Sequence, residues 1–199
     1  MGWKIYSIIV QGQGKSDFQD VINKLNLTSF QLKGESYFES ALNPSSGHLY
    51  IGDVKSNLVI FHPEIPMTFL EPEVLEHEKL LNNLFPDSEI CALILNSTVN
   101  LWGFSISKAG QKIRVKGGAA SLGTMVDKGD IQEEEKELLE RSQINENGER
   151  MYRFPRHPEE EYSEAQVGEE FVFELSKRFF KVRFSTAEIM ETTVNHYQK

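Results

Sequence analysis

The sequence predicts an α+β protein with a mainly antiparallel or mixed sheet packed against about five helices. Three apolar stretches, residues 90–95, 99–107 and 112–116, follow one another across connections of three and four residues. Because connections that short join antiparallel neighbours, we expect a central three-stranded meander over residues 90–116. Apolar residues at helical spacing on both sides of the meander predict the helices, and this mixture indicates the α+β class.

The elements before the meander begin with a strand. Residues 5–10 form a nearly continuous apolar run rich in β-branched side chains, which is typical of a strand buried on both faces. Ser16 is expected to cap the helix that follows, because Gln19 stands three residues later and can complete a capping box. Residues 48–54 and 57–62 then predict two strands joined around a tight turn.

A further helix is predicted over residues 73–84, where apolar side chains recur at helical spacing. It ends before Pro86, because the residue that precedes a proline avoids the helical conformation. After the meander, residues 117–129 have the glycines and polar residues of a loop. A charged helix to about residue 141 follows, with Asp130 as its expected N-cap.

The C-terminal part contains a polar connection over about residues 142–163, with few aliphatic side chains. We expect it to carry one short strand at residues 151–154. Helical spacing predicts a long helix over residues 164–180, and a capping box predicts a last helix over residues 185–198. We predict that residues 1–199 form a single domain, because a chain of this length fits one domain of ordinary upper size.

Composition places the protein among soluble globular chains. Its 199 residues (22.8 kDa) are 39% hydrophobic and 26% charged, so the chain can bury a core without disulfides. The single cysteine, Cys91, excludes an internal disulfide and a zinc cluster built on cysteines. The apolar N-terminus is too short to cross a bilayer and lacks a cleavage site. We therefore expect a cytoplasmic protein with no membrane segment.

The negative charge is concentrated in one part of the chain. Thirty acidic residues against 21 lysines and arginines give a net charge of −9. Residues 127–174 hold sixteen of the acids and six of the bases, a net −10, and the remainder carries a net +1. Phosphates would meet repulsion at the acidic segment, so we expect no nucleic-acid partner. An anion site on the nearly neutral remainder stays compatible with this distribution.

The segment Gly12-Gln13-Gly14-Lys15-Ser16 lies between a predicted strand and a predicted helix, which is where a phosphate-binding loop belongs. The full motif requires a glycine five residues before Gly14, and Ile9 stands there instead. A glycine-rich turn that leads into a helix is therefore the favoured interpretation. Lys15 and Ser16 remain candidate anion-binding residues.

Arginines and aromatic residues alternate in the segment from Arg150 to His157. If residues 151–154 are extended, Arg153 lies on the face opposite to the aromatic side chains. Arg153, Arg156 and His157 are candidates to bind an anion, a phosphate or an acidic segment of a partner. The alternative is that these arginines only offset the three glutamates at residues 159–161.

Complete catalytic motifs are absent from the sequence. The five histidines form neither HxH nor HExxH, and no GxSxG elbow is present, so we expect neither a metal nor a cofactor. The preferred hypothesis is a non-catalytic cytoplasmic interaction or regulatory module that binds another protein through its acidic C-terminal half. The alternative is an enzyme or small-ligand-binding protein for an anionic or phosphorylated molecule, which would use either candidate segment, or both if they converge.

Overall fold

The computed structural model describes residues 2–199 and consists mostly of β-sheet, with 39% of residues in strands and 28% in helices. Met1, which belongs to the predicted single domain of residues 1–199, lies outside the described residues. The strands are β1 (Lys4–Val10), β2 (Gln31–Tyr37), β3 (His48–Val54), β4 (Asn57–Phe61), β5 (Ile90–Asn96), β6 (Leu101–Lys108), β7 (Gln111–Ala119), β8 (Gly123–Gly129), β9 (Ser142–Ile144), β10 (Arg150–Phe154), β11 (His157–Ser163) and β12 (Thr193–Gln198). The helices are α1 (Phe18–Lys24), α2 (Phe38–Ala41), α3 (Glu76–Leu84), α4 (Glu133–Glu140), α5 (Glu164–Phe180), α6 (Ala187–Met190) and a 3₁₀ helix at Ile65–Leu70.

Nine strands form one sheet in the order β2-β12-β3-β4-β1-β5-β6-β7-β8, and its neighbouring strands are antiparallel. The predicted α+β class, built on a central three-stranded meander over residues 90–116, is therefore wrong. The strands β5, β6 and β7 do pair in chain order, but they are three of nine. Pairings such as β1 with β5 and β12 with β3 join segments that are distant in the chain, and turn lengths carry no information about them.

The last predicted helix, residues 185–198, is also wrong. This segment contains only the short α6 and then β12, which lies between β2 and β3 in the large sheet. The two buried side chains of β12, Val194 and Tyr197, are three residues apart, a spacing that also fits a helix. What makes this segment a strand and not a helix is its backbone hydrogen bonding to β2 and β3, which lie far away in the chain.

Two segments predicted as loops contain strands. Residues 117–129 form the end of β7 and the whole of β8, the edge strand of the large sheet. The polar connection over residues 142–163 folds into a second, three-stranded sheet in the order β11-β10-β9, and its expected strand at residues 151–154 corresponds to β10. Both segments expose most of their side chains, so they lack the apolar alternation that identifies a strand.

Apolar side chains cover both faces of the large sheet. Ile5 and Ile9 of β1 belong to a core shared with α5, whereas Ile8 and Val10 belong to a core shared with α1, the 3₁₀ helix and α3. The prediction that residues 5–10 form a strand buried on both faces is therefore confirmed. The two cores together give a layer of sheet between two layers of helix.

The helix α5 lies directly on the sheet, and it confirms the prediction of a helix over residues 164–180. Its capping box is formed by Ser163 and Gln166. Gly168 permits a close approach, since a Cβ there would lie 2.0 Å from the Trp102 ring. Across residues 2–199, no helix combines the length and the apolar character needed to span a membrane.

Buried ion pairs attach the C-terminal helices to strand β7. The guanidinium of Arg114 donates to both carboxylate oxygens of Glu135 in α4, at 2.8 and 2.7 Å. Lys116 pairs with Asp127 of β8 and with Glu164 at the start of α5. Because these cations are almost fully buried, losing a partner would leave an uncompensated charge, and the pairs keep α4 and α5 in position.

Candidate functional site

The loop that carries Lys15 and Ser16 leads into α1, but Ser16 does not cap this helix as predicted. The N-cap is Asp17, whose Oδ1 accepts from the amides of Gln19 at 2.9 Å and Asp20 at 3.3 Å. A carboxylate binds the free amides at a helix N-terminus more strongly than a hydroxyl does. The start of α1 is therefore already occupied by a negative group of the chain itself.

The amides of the glycine-rich loop are also engaged within the fold. They donate as follows: Gly12 to Asn57 Oδ1 at 3.1 Å, Gly14 to the Ser56 carbonyl at 3.0 Å, and Ser16 to the Gln13 carbonyl at 3.1 Å. The carboxylate of Asp53 lies so close to Gly14 that a Cβ there would be 2.1 Å from its Oδ1. The side chain of Lys15 is exposed. An anion at this loop would thus meet a neighbouring carboxylate and few free amides.

An open groove of about 840 Å³ lies between α4, the β10–β11 hairpin and α5. We call it the hairpin groove. Leu138 of α4 and Val167 of α5 are almost fully buried and form its base, and Phe154 and Tyr162 of the hairpin form one wall. The rings of Phe154 and Tyr162 meet edge to face, with their centroids 5.5 Å apart. Charged side chains complete the rim: Glu137, Arg141, Arg156, His157, Glu170, Glu174, Lys177 and Arg183.

Two of the five candidate residues, Arg156 and His157, line the hairpin groove side by side at the hairpin turn. Arg153 lies on the same hairpin but lines an adjoining cavity of about 390 Å³, which shares Arg141, Phe154 and Pro155 with the groove. The Nη2 of Arg153 pairs with Glu161 at 2.5 Å. Neither cavity includes Lys15 or Ser16, and no hydrogen bond or ion pair among residues 2–199 joins them to this hairpin. The structure therefore brings Arg156 and His157 together and leaves the other three candidates elsewhere.

Each carboxylate on the rim of the groove is paired with a cation of the same rim. Glu137 pairs with Arg141, and Arg183 pairs with both Glu170 and Glu174. Glu174 also accepts from Lys177 at 2.5 Å. Burial alone would raise the pKa of Glu174, but the hydrogen bonds from these two cations lower that pKa below its ordinary value.

The α5 side of the groove contains functional candidates that were not among the residues predicted from the sequence. Glu170, Glu174 and Lys177 follow one another at spacings of four and three residues, which would have indicated one exposed helix face with internal ion pairs. Arg183 lies beyond the end of α5, where Lys181 adopts a left-handed conformation (φ 66°). No local pattern in the sequence would have revealed that Arg183 turns back onto the groove.

His157 also belongs to the one group of possible metal ligands found among residues 2–199. Its donor atoms and those of Glu159 and Glu160 lie within 4.8 Å of one another. These are nitrogen and oxygen ligands of the kind that zinc accepts. All three side chains are exposed, and exposed acidic groups often gather in this way without a metal.

Just over half of the acidic side chains in residues 127–174 form ion pairs within the described chain. Nine of its sixteen acids form ion pairs: Asp127, Glu133, Glu134, Glu135, Glu137, Glu161, Glu164, Glu170 and Glu174. Five of the cations involved come from outside the segment: Arg114, Lys116, Lys177, Arg178 and Arg183. Three of the paired acids, Asp127, Glu135 and Glu164, contact Arg114 or Lys116 of β7 and so attach this segment to the large sheet.

Comparison of the chain with protein-family models, with curated proteins and with solved structures finds no match.

Proposed function

We propose that the protein is a non-catalytic cytoplasmic interaction module whose hairpin groove binds an extended segment of another protein. The observation that carries the proposal is the groove itself, which is open, about 840 Å³ in volume and built mostly from the acidic C-terminal half. An apolar base with aromatic and arginine side chains at its sides has the composition of the centre of a protein interface. Its openness favours a chain segment over a small molecule, which pockets usually enclose.

The edges of the large sheet offer a less suitable docking surface. Both edge strands contain a bulge: Lys33 of β2 and Met125 of β8 have no paired residue on the neighbouring strand. Both strands also carry an exposed lysine, Lys33 and Lys128. Bulges and lysines are common means of preventing a further strand from adding to an edge. This favours the groove over strand addition as the way in which the module binds a partner.

Buried ion pairs fix the two helices that line the groove, α4 and α5, in the unbound protein. Glu135 ties α4 to Arg114, and Glu164 ties the start of α5 to Lys116. A groove with fixed walls loses little conformational entropy when a segment binds, so more of the contact energy contributes to affinity. The buried ion pairs on β7 therefore support the proposed docking role.

Photo-crosslinking tests the proposed function. The photoreactive residue p-benzoylphenylalanine replaces Glu137 or His157 on the rim, or the exposed Lys24 or Lys108 on other surfaces as matched controls. After irradiation in the native cells, we expect the same partner band from both rim positions and no such band from the controls. Phe154→Ala, which removes part of the groove wall, should abolish the band without unfolding the protein.

Two results would contradict the proposal. One is a crosslinked partner that forms equally well from the control positions, since docking would then occur elsewhere. The other is a thermal shift of several degrees with a phosphorylated small molecule that is lost in Phe154→Ala. Saturating ligand stabilises a protein by a few kcal/mol, so this second result would assign the groove to a small anionic ligand.

A further inference from the structure

We infer that the segment bound in the hairpin groove carries an anionic side chain that pairs with Arg156. This inference rests on the proposed function and adds the chemical class of the partner segment. It depends on which charges in the groove are already neutralised within the protein and which one is not.

Arg156 differs from the other arginines in having no partner among residues 2–199. Five of the seven arginines form ion pairs: Arg114, Arg141, Arg153, Arg178 and Arg183. A sixth, Arg150, donates to Ser142 Oγ at 2.7 Å. Arg156 makes neither an ion pair nor a side-chain hydrogen bond within the described chain, and its side chain is exposed at the groove. A guanidinium presents a planar fork of donors that fits a carboxylate or a phosphate.

The charge balance of the groove points to the same class of ligand. Four lysine or arginine side chains, Arg141, Arg156, Lys177 and Arg183, stand against three carboxylates among the residues that line the groove, an excess of one positive charge when histidine is not counted. The three carboxylates are all held by the other three cations. Among the residues that line the groove, the excess charge is thus positive and is located on Arg156. Glu159 and Glu160 lie close to His157 but do not line the groove, so a basic partner segment would find no unpaired carboxylate inside it.

The surroundings of Arg156 allow an anionic residue to bind together with an apolar neighbour. His157 is adjacent in the groove lining, but its ring nitrogen already lies within 4.8 Å of the carboxylates of Glu159 and Glu160. Arg156 is therefore the main donor to the anion. The Phe154 and Tyr162 rings lie on the same hairpin, above the apolar base formed by Leu138 and Val167. Side chains of an extended segment alternate in direction. When an acidic side chain of the segment pairs with Arg156, its two neighbours in the segment therefore point to the opposite side.

Peptide titrations followed by nuclear magnetic resonance of the ¹⁵N-labelled protein test the inference. Four blocked hexapeptides are compared, in which leucine alternates with glutamate, phosphoserine, glutamine or lysine. We expect the glutamate or phosphoserine peptide to shift the resonances of the groove saturably, and the lysine peptide to shift none. Arg156→Gln should weaken binding of the anionic peptide about tenfold, the loss of one charge-assisted contact. Arg153→Gln, on the same hairpin but outside the groove, should leave binding unchanged.

The outcomes separate this inference from the proposed function. If the glutamine or lysine peptide binds the groove as tightly as the anionic ones, or if Arg156→Gln binds unchanged, the groove is a docking site but the inference is wrong. If no peptide shifts the groove resonances, the proposed function fails as well. The glutamate and phosphoserine peptides also distinguish a carboxylate partner from a phosphorylated one.

Discussion

Replacing Lys112 with methionine should destabilise the protein strongly, because it removes the counter-charge of a fully buried carboxylate. The Lys112 Nζ donates to Glu78 Oε2 at 2.6 Å, to the Phe69 carbonyl at 2.8 Å and to Ser105 Oγ at 2.9 Å. The side chain of Glu78 is 0% exposed, and its Oε1 has no hydrogen-bond partner within the described chain. Lys112→Met therefore leaves a buried charge and two further acceptors without a donor.

The expected loss is about 3–5 kcal/mol of unfolding free energy, the usual cost of removing one partner of a buried ion pair. For a domain of this size, each kcal/mol lowers the midpoint of thermal unfolding by about 2–4 °C. Urea unfolding followed by circular dichroism measures the free energy directly. The double variant Glu78→Gln with Lys112→Met removes the isolated charge and should recover part of the loss, as a double-mutant cycle would show.

The pH dependence of the variant gives an independent test of the same pair. Burial raises the pKa of Glu78 above its ordinary value, and the hydrogen bond and charge of Lys112 offset only part of this rise. Without Lys112 that pKa should rise further, so the folded state binds a proton that the unfolded state releases. Lys112→Met should therefore regain stability relative to the wild type as the pH falls from 7 to 5. A variant that loses less than about 1 kcal/mol, or that shows no such pH dependence, would show that Lys112 does not compensate a buried charge on Glu78.

Three further perturbations test other parts of the fold. Burial lowers the pKa of His62 to about 4. The folded protein should therefore lose on the order of 3 kcal/mol of unfolding free energy as the pH falls from 6.5 toward 4. His62→Asn should remove this pH dependence in urea unfolding, and an unchanged profile would contradict the prediction. Gly168→Ala places a Cβ 2.0 Å from the Trp102 ring. This clash should lower the free energy of unfolding by about 1–3 kcal/mol and change the tryptophan fluorescence. An unchanged stability would show that α5 does not pack tightly on the sheet. Lys33→Val removes the charge from edge strand β2 and should cause self-association that rises with protein concentration, as measured by light scattering. A molar mass that does not change with concentration would show that the bulge alone protects the edge.

The parts of the fold that local pattern determines were predictable from the sequence. Helix α5 combines apolar residues at helical spacing with a capping box, so its predicted and observed ranges agree. In strand β1, a nearly continuous apolar run indicates burial on both faces of the sheet. In both cases a stretch of neighbouring residues contains the whole signal.

The parts that depend on distant partners were not predictable in this way. Strand β12 takes its conformation from β2 and β3, which lie about 150 residues earlier in the chain. Arg156 and His157 could be selected as neighbours in sequence, but the opposite wall of their groove comes from α5 and Arg183. Ser16 lost its expected capping role because Asp17, one residue later, supplies a charged acceptor.

The affinity of the crosslinked partner for three forms of the protein tests directly whether Arg156 takes part in binding. Isothermal titration calorimetry would compare the wild type with Arg156→Gln and with the matched Arg153→Gln, whose arginine lies outside the groove. We expect a dissociation constant about tenfold higher for Arg156→Gln, and an unchanged value for Arg153→Gln. Equal affinity of all three forms would contradict this expectation, because the partner would then bind without using the groove's one unpaired guanidinium.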